Sequence, residues 1–370
     1  DAGDSAAVPG SPLSGLTPAD LARFQAGKAL FQRGFTFAEG LGPLFNQDRC
    51  SSCHDLPAVG GSGVETVEKA TRYLPPGRCD QLGRAGAVFQ DRASPALQAL
   101  GITRVEVPPA ATGRARLDPP ALFGLGLIEA IPDQAILARG DSSDAHGNGL
   151  SGRAGRTTDG RLGRFGQKAD HATLKDFVET ALLTEMGLTT TGRPTEEGVG
   201  HAALPAGVDP APEPEVRDDQ VKLLVAFVRF LAPPPPARIA SFAERDSVRR
   251  GRRIFHQLGC AGCHVPEMRP GPSGVSALDR KVIPLYSDLL LHDLGPELAD
   301  VCGPAASPSE FRTARLLGLR LRLRYLHDGR AVRLEDAILL HGGEARAARD
   351  NFQDLSYGMR EYLYKFLNSL

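Results

Sequence analysis

Cys50-Ser51-Ser52-Cys53-His54 and Cys260-Ala261-Gly262-Cys263-His264 are two copies of one pattern, C-x-x-C-H. This is the attachment sequence of c-type haem. Two thiols separated by two residues match the spacing of the haem vinyl groups, and the next residue sets an imidazole beneath the iron. A bare C-x-x-C would also suit a redox dithiol, and two of them could offer zinc four thiolates. Neither chemistry calls for a histidine directly after the second cysteine, yet one stands there both times. The expectation is two covalently bound c-type haems, one on Cys50, Cys53 and His54 and one on Cys260, Cys263 and His264. His54 and His264 are the expected iron ligands.

The flanking segments echo each other. Gly27-Lys28-Ala29-Leu30-Phe31 precedes the first motif and Gly251-Arg252-Arg253-Ile254-Phe255 the second, each read as part of a short amphipathic helix. Residues 221–231 and 359–370 carry apolar side chains at helical spacing and read as closing helices. Pro233 to Pro236 cannot continue a helix, so a boundary falls near residue 235. The expected architecture is mainly α: two cytochrome c-like haem domains, 1–235 and 236–370, with long irregular loops and a few short strands. Residues 319–324, Leu-Arg-Leu-Arg-Leu-Arg, alternate with period two and read as one such strand. Its arginine face is a solvated edge on the plainer reading, and a set of partners for haem propionates on the other.

Composition narrows the classes. The 370 residues hold 43 Lys plus Arg against 44 Asp plus Glu, a net charge of -1, which argues against a nucleic-acid partner. No run of 18 apolar residues occurs, so no transmembrane segment is expected. The start, Asp1-Ala2-Gly3-Asp4-Ser5, has neither a basic nor an apolar stretch, so a signal peptide is expected to be absent from this chain. Haem attachment of this type takes place outside the cytoplasm, which points to the periplasm. Six cysteines are too few for a disulfide scaffold. Cys79 and Cys302 are left over, either as a disulfide or as two buried thiols. Trp is absent.

Further segments carry a family resemblance. They are Gly42-Pro43-Leu44-Phe45-Asn46, Leu122-Phe123-Gly124-Leu125-Gly126-Leu127-Ile128-Glu129-Ala130 and Gly163-Arg164-Phe165-Gly166 in the first half. In the second half they are Leu285-Tyr286-Ser287-Asp288-Leu289-Leu290-Leu291-His292-Asp293, Tyr325-Leu326-His327-Asp328-Gly329 and His341-Gly342-Gly343-Glu344-Ala345. Together they resemble the di-haem oxidoreductase (peroxidase) family of the bacterial cytochrome c peroxidase and MauG superfamily, across residues 20–370. The resemblance implies that the N-terminal haem reacts with hydrogen peroxide while the C-terminal haem relays electrons and shares the oxidising equivalents. It also implies a small periplasmic electron donor, such as a c-type cytochrome or a cupredoxin. Two other readings compete: a non-catalytic di-haem electron-transfer cytochrome, and a dioxygen-using oxygenase of the same superfamily. Relatives often hold a calcium ion between the haems. Residues 144–149 weakly match a calcium loop, with Gly155 where the bidentate acid is due.

Two positions follow from the resemblance. Glu185, in a Glu-Met-Gly helix end, matches the catalytic acid that stands above the open iron and moves a proton between the peroxide oxygens. Gln167 stands where relatives place a tryptophan between the haems, and an amide cannot carry an electron hole. Residues 55–78 contain no His or Met that could cap the His54 iron, which favours an open position there.

The sixth ligand of the second haem is assigned to His341. Leu334, Ala337, Ile338 and His341 fall on one helix face, and Gly342-Gly343 then lets the chain pass close to a haem. Its place also resembles that of the axial Met or Tyr of relatives. His327 is the runner-up. Met186 and Met268 are expected to pack rather than ligate. His146, His171, His201 and His256 are expected at the surface.

Overall fold

The computed structural model describes residues 8–83, 86–199 and 202–370; His201 and the first seven residues lie outside them. Among the described residues there are ten helices. They are α1 (Pro18–Gln32), α2 (Pro95–Gln98), α3 (Leu125–Glu129), α4 (Asp133–Leu137), α5 (Leu174–Met186), α6 (Asp218–Phe230), α7 (Phe242–Gln257), α8 (Leu334–Leu339), α9 (Arg346–Gln353) and α10 (Tyr357–Leu367). The strands are short. A four-stranded antiparallel sheet gathers β3 (Arg78–Asp80), β4 (Val88–Phe89) and β6 (Gly113–Leu117) around β2 (Val67–Leu74). β1 (Leu44–Phe45) pairs with β5 (Arg92–Ala93), and β7 (Leu291–Asp293) with β8 (Glu310–Arg312). The architecture is mainly α with long irregular loops. No described helix is long and apolar enough to cross a membrane.

Local chemistry starts the helices where they begin. Thr17 caps α1 by accepting from the Asp20 N–H at 3.1 Å, with Pro18 in the first turn. Ser241 caps α7 through Glu244 N–H at 3.0 Å, and Thr173 caps α5 through Asp176 N–H at 3.1 Å.

Two helix pairs repeat one crossing. α1 packs on α6, and α7 packs on α10. A Cβ on Gly27 would lie 2.0 Å from the Leu223 carbonyl oxygen, and one on Gly251 would lie 1.9 Å from that of Tyr362. Each helix pair therefore meets backbone to backbone at a glycine. Four residues on, Phe31 meets Phe227 at a tilt with ring centres 4.8 Å apart, and Phe255 meets Phe366 edge-on at 5.4 Å. The repeated Gly-x-x-x-Phe is the contact set of one crossing, used twice.

One apolar cluster joins α1, α3, α5 and α6 to Met268, Ile283, Leu285 and Leu290 of the C-terminal half. A second surrounds Phe255, Phe352 and Phe366. Cys79, in β3, is disulfide-bonded to Cys302.

Residues 319–324 do not form the expected strand. Leu319–Leu321 is a single 3-10 turn, and the arginines reach in different directions. Arg320 donates to the Pro235 carbonyl at 2.6 Å, and Arg324 pairs with Asp118 at 2.9 Å. The alternation reflects separate anchoring points, not the two faces of a sheet.

Candidate functional site

Each C-x-x-C-H motif opens with a 3-10 turn, Cys50–Ser52 and Cys260–Gly262. None of the four cysteines is in a disulfide. Burial pushes the Cys50, Cys53 and Cys260 thiols up to about 12, and the Cys263 thiol up as well. Such thiols are poor thiolates. Among the described residues, the cysteines also join no cluster of three or more metal-binding groups. A four-thiolate zinc cage is therefore not built here.

Three histidines share one disposition. His54 Nδ1 lies 3.1 Å from the Gly61 carbonyl oxygen, His264 Nδ1 3.0 Å from that of Tyr286, and His341 Nδ1 2.7 Å from that of Ala337. A carbonyl only accepts, so Nδ1 carries the proton and Nε2 the lone pair. Burial lowers all three, His264 to about 4, which keeps the imidazoles neutral. A neutral ring whose tautomer is fixed by a backbone acceptor is what an iron ligand needs.

The His264 and His341 ring centres are 6.5 Å apart. An iron bonded to two Nε2 atoms at about 2 Å, with about 1 Å more to each ring centre, gives a separation of roughly 6 Å. The pair fits a bis-imidazole iron. His54 has no such imidazole facing it among the described ring contacts; its neighbour is Phe31 at 6.2 Å.

His327 is differently placed. Its Nε2 is 2.7 Å from Asp300 Oδ2, close though not aligned for a hydrogen bond, and its ring stacks on Phe311 at 4.4 Å. Its ring is engaged by a carboxylate and an aromatic face, unlike that of His341.

Both motifs open onto one partly open cavity of about 800 Å³. Arg312, Arg315 and Arg322 line it, and burial lowers all three guanidinium groups, Arg312 to about 10 and Arg315 to about 9. Arg312 donates to the Gly166 carbonyl at 2.8 Å, and Arg315 to that of Ala121. Among the described ion pairs none involves these three arginines. Arg315 is buried and Arg312 and Arg322 are half-buried. Cations so placed without anionic partners are costly, and haem propionates are anions of the right kind. The wall, the thiols and the neutral imidazoles together fit haem.

Glu185 stands at the C-terminal end of α5, on the cavity wall. Its charge reaches Cys53, whose thiol it helps push up. Asn46 Nδ2 donates to Glu185 Oε2 at 2.8 Å, and the Asn46 N–H donates to the Glu185 carbonyl at 2.7 Å. Burial raises the Glu185 carboxyl, with Asn46 and Lys69 opposing. The sequence segments around Asn46 and Glu185, 139 residues apart, thus form one structure. Met186 and Met268 both lie in the apolar core.

Gln167 lines the cavity at the meeting of the two halves. Its Nε2 donates to the His327 carbonyl at 3.2 Å, and its own carbonyl accepts from Arg312 N–H at 2.8 Å. The Asp141 and Asp144 carboxylates accept backbone N–H groups of their own loop, at 2.8 Å from Ala145 and 2.9 Å from Asn148.

Other histidines divide. His146 is 79% exposed and His256 is exposed, as expected. His171 is not at the surface: its side chain is 14% exposed, lines the cavity and meets Phe177 edge-on at 5.5 Å. The polar setting in sequence concealed a position fixed by the fold. His292, held between Asp288 and Glu344, went unread although its segment was singled out. So did a cluster of four carboxylates, Glu196, Asp209, Glu213 and Glu215, which no local sequence spacing announces.

The chain matches the family described as "Di-haem oxidoreductase, putative peroxidase" over residues 113–370. It belongs to the di-haem oxidoreductase family. The match takes in the second haem motif, Gln167 and Glu185, while Cys50 to His54 lie outside it. No curated protein matches the chain. Three solved structures are similar to this di-haem oxidoreductase at low identity. A diheme peroxidase, BthA, from Burkholderia thailandensis is 17% identical with a TM-score of 0.45, covering 99% of this chain and 89% of that one. A MauG-like protein associated with microbial copper homeostasis is 16% identical with a TM-score of 0.40, covering 100% and 94%. Hydrazine synthase from Kuenenia stuttgartiensis is 12% identical with a TM-score of 0.44, covering 100% and 96%.

Proposed function

We propose that this di-haem oxidoreductase reduces hydrogen peroxide at the haem carried by Cys50, Cys53 and His54. The haem carried by Cys260, Cys263 and His264 relays electrons and shares the oxidising equivalents. The observation that carries the reading is the asymmetry between the two sites. His341 stands opposite His264 at a spacing that suits a six-coordinate relay. The carboxyl near Cys53 is instead Glu185, an acid whose proton affinity is raised by burial.

When bound, the two haems supply the redox chemistry, and the chain supplies the rest. Glu185 takes the proton from the near oxygen of peroxide and returns it to the far one. Asn46 holds that carboxyl in place. Val178, Ala181 and Leu182, on the same helix as Glu185, line the cavity beside it. Arg312, Arg315 and Arg322 neutralise propionates. Residues 1–235 and 236–370 are the two cytochrome c-like domains, each with thioether bonds to its own haem. A small exported cytochrome or cupredoxin returns the electrons. The Cys79–Cys302 disulfide supports an oxidising compartment, the periplasm.

An electron paramagnetic resonance spectrum of the ferric holoprotein tests the reading. One high-spin and one low-spin signal are expected, with rapid reaction on adding peroxide. Two low-spin signals and no reaction would replace the enzyme with an electron-transfer cytochrome.

A further inference from the structure

His292 takes no part in the chemistry assigned so far, although it is 4% exposed and has a carboxylate on each nitrogen. Nδ1 lies 2.6 Å from Glu344 Oε2, and Nε2 2.9 Å from Asp288 Oδ2. Nδ1 is also 3.6 Å from Cys263 Sγ, the second thiol of the C-terminal haem motif. A ring engaged on both nitrogens is no ligand. It is a tether.

What it tethers is Glu344, three residues after His341. Glu344 Oε1 accepts from Ser151 Oγ at 2.7 Å and from Asp293 N–H at 3.1 Å, and Oε2 accepts from Ser151 N–H at 3.0 Å. With His292, both carboxylate oxygens are fully occupied. The backbone seals the same joint. A Cβ on Gly343, at φ +51°, would lie 2.2 Å from the Asp293 carbonyl oxygen, and one on Gly342 would lie 2.7 Å from that of Leu294. α8 ends at Leu339, short of the helix expected to run to His341. The ring sits in the turn after it, where the His341 backbone N–H donates to the Ile338 carbonyl at 3.1 Å, and the helix cannot hold it alone. α8 has six residues, far below the length at which a helix is stable alone. Its end has to be fixed from outside.

We propose that Glu344 is a positioning residue: clasped by Ser151 and His292, it fixes the turn after His341 and so keeps that imidazole opposite His264. The proposal rests on the axial role given to His341 above. Ser151 comes from the N-terminal half and Glu344 from the C-terminal half. The coordination of the second iron therefore depends on how the first half is seated.

The test uses the ferric holoprotein and imidazole or cyanide as a competing ligand. In the parent protein the second haem is expected to be low-spin and to take up added ligand poorly. Glu344→Ala should raise the affinity of the second haem for the added ligand at least tenfold and bring in a high-spin signal. Glu344→Gln, which still accepts from Ser151, should restore most of the parent behaviour. Ser151→Ala removes one hydroxyl from a partly exposed loop and should shift the affinity in the same direction by a smaller factor, which keeps the test open if Glu344→Ala does not fold. His341→Ala is run alongside. If it alters the second haem while Glu344→Ala and Ser151→Ala leave spectrum and affinity at parent values, the clasp is wrong and the axial assignment stands. If His341→Ala also changes nothing, the axial assignment falls and the clasp with it.

Discussion

Replacing Glu185 by Gln separates its proton chemistry from its packing. The amide is isosteric, and its carbonyl can still accept from Asn46 Nδ2, which is 2.8 Å from the native carboxylate. Both haem spectra should therefore be unchanged. What disappears is a carboxyl whose proton affinity burial has raised. Positioned acid–base help is worth about 10² to 10⁴ in rate, or about 3 to 5 kcal/mol of barrier. Stopped-flow mixing of the ferric protein with peroxide should show a second-order rate constant lower by that factor. The sign with pH follows from the same geometry. Glu185 must be ionised to accept the first proton, so the parent rate should fall as pH drops through its raised pKa, above the ordinary 4.5. The Gln variant should lack that limb. A parent-like rate constant, or the same acidic limb in the variant, would remove Glu185 from the chemistry.

Further outcomes follow from other parts of the fold. Gly251→Ala sets a Cβ 1.9 Å from the Tyr362 carbonyl oxygen, which should force α7 from α10 and lower stability by about 1–3 kcal/mol in guanidinium unfolding; an unchanged midpoint would show that the crossing is loose. The Glu196 and Glu213 carboxyls are raised to about 9 and about 8, burial first and neighbouring carboxylates second. The folded chain then holds protons that the unfolded chain gives up near 4.5, so stability should fall as pH rises from about 5 towards 8–9. Glu196→Gln should recover about 1–2 kcal/mol at pH 8 with a chelator present, a value discounted for partial solvation; no gain there would mean that the cluster is ionised in the fold. Joint replacement of Cys79 and Cys302 by Ser should cost about 2–4 kcal/mol, and equal thermal midpoints would show that the bond contributes nothing.

What the sequence made legible follows physical range. The two haem motifs and the repeated Gly-x-x-x-Phe are local patterns; the structure turns the first into a 3-10 turn, while the partners of the second, Leu223 and Tyr362, lie on distant helices. His341 could be singled out because an apolar periodicity and a glycine pair are both readable from neighbours in sequence, and its axial role is part of the proposal. The strand at 319–324 failed for the opposite reason. Alternation is a reliable sign only when a partner strand exists, and those arginines go singly to Pro235 and Asp118. His171, the carboxylate cluster and the His292 clasp depend on contacts between distant segments, which no spacing encodes. Gln167 is an intermediate case, since its position came from resemblance and its bonds to His327 and Arg312 from the fold.

The six cysteines ask for opposite treatment during biogenesis. Cys79 and Cys302 are joined across 223 residues, and Cys302 lines the cavity itself. On the reading proposed here, the other four must stay reduced until each has met a vinyl group. An oxidant acting too early could pair Cys50 with Cys53, or Cys260 with Cys263, and leave nothing for the cofactor to join. One acting too late would leave the halves unstitched while the interior is still being filled. The molecule thus requires an order of assembly, with thiol protection at the two motifs first and the single cross-link last. A cell producing it would need its haem-ligation and disulfide-forming machineries to work in sequence on the same chain.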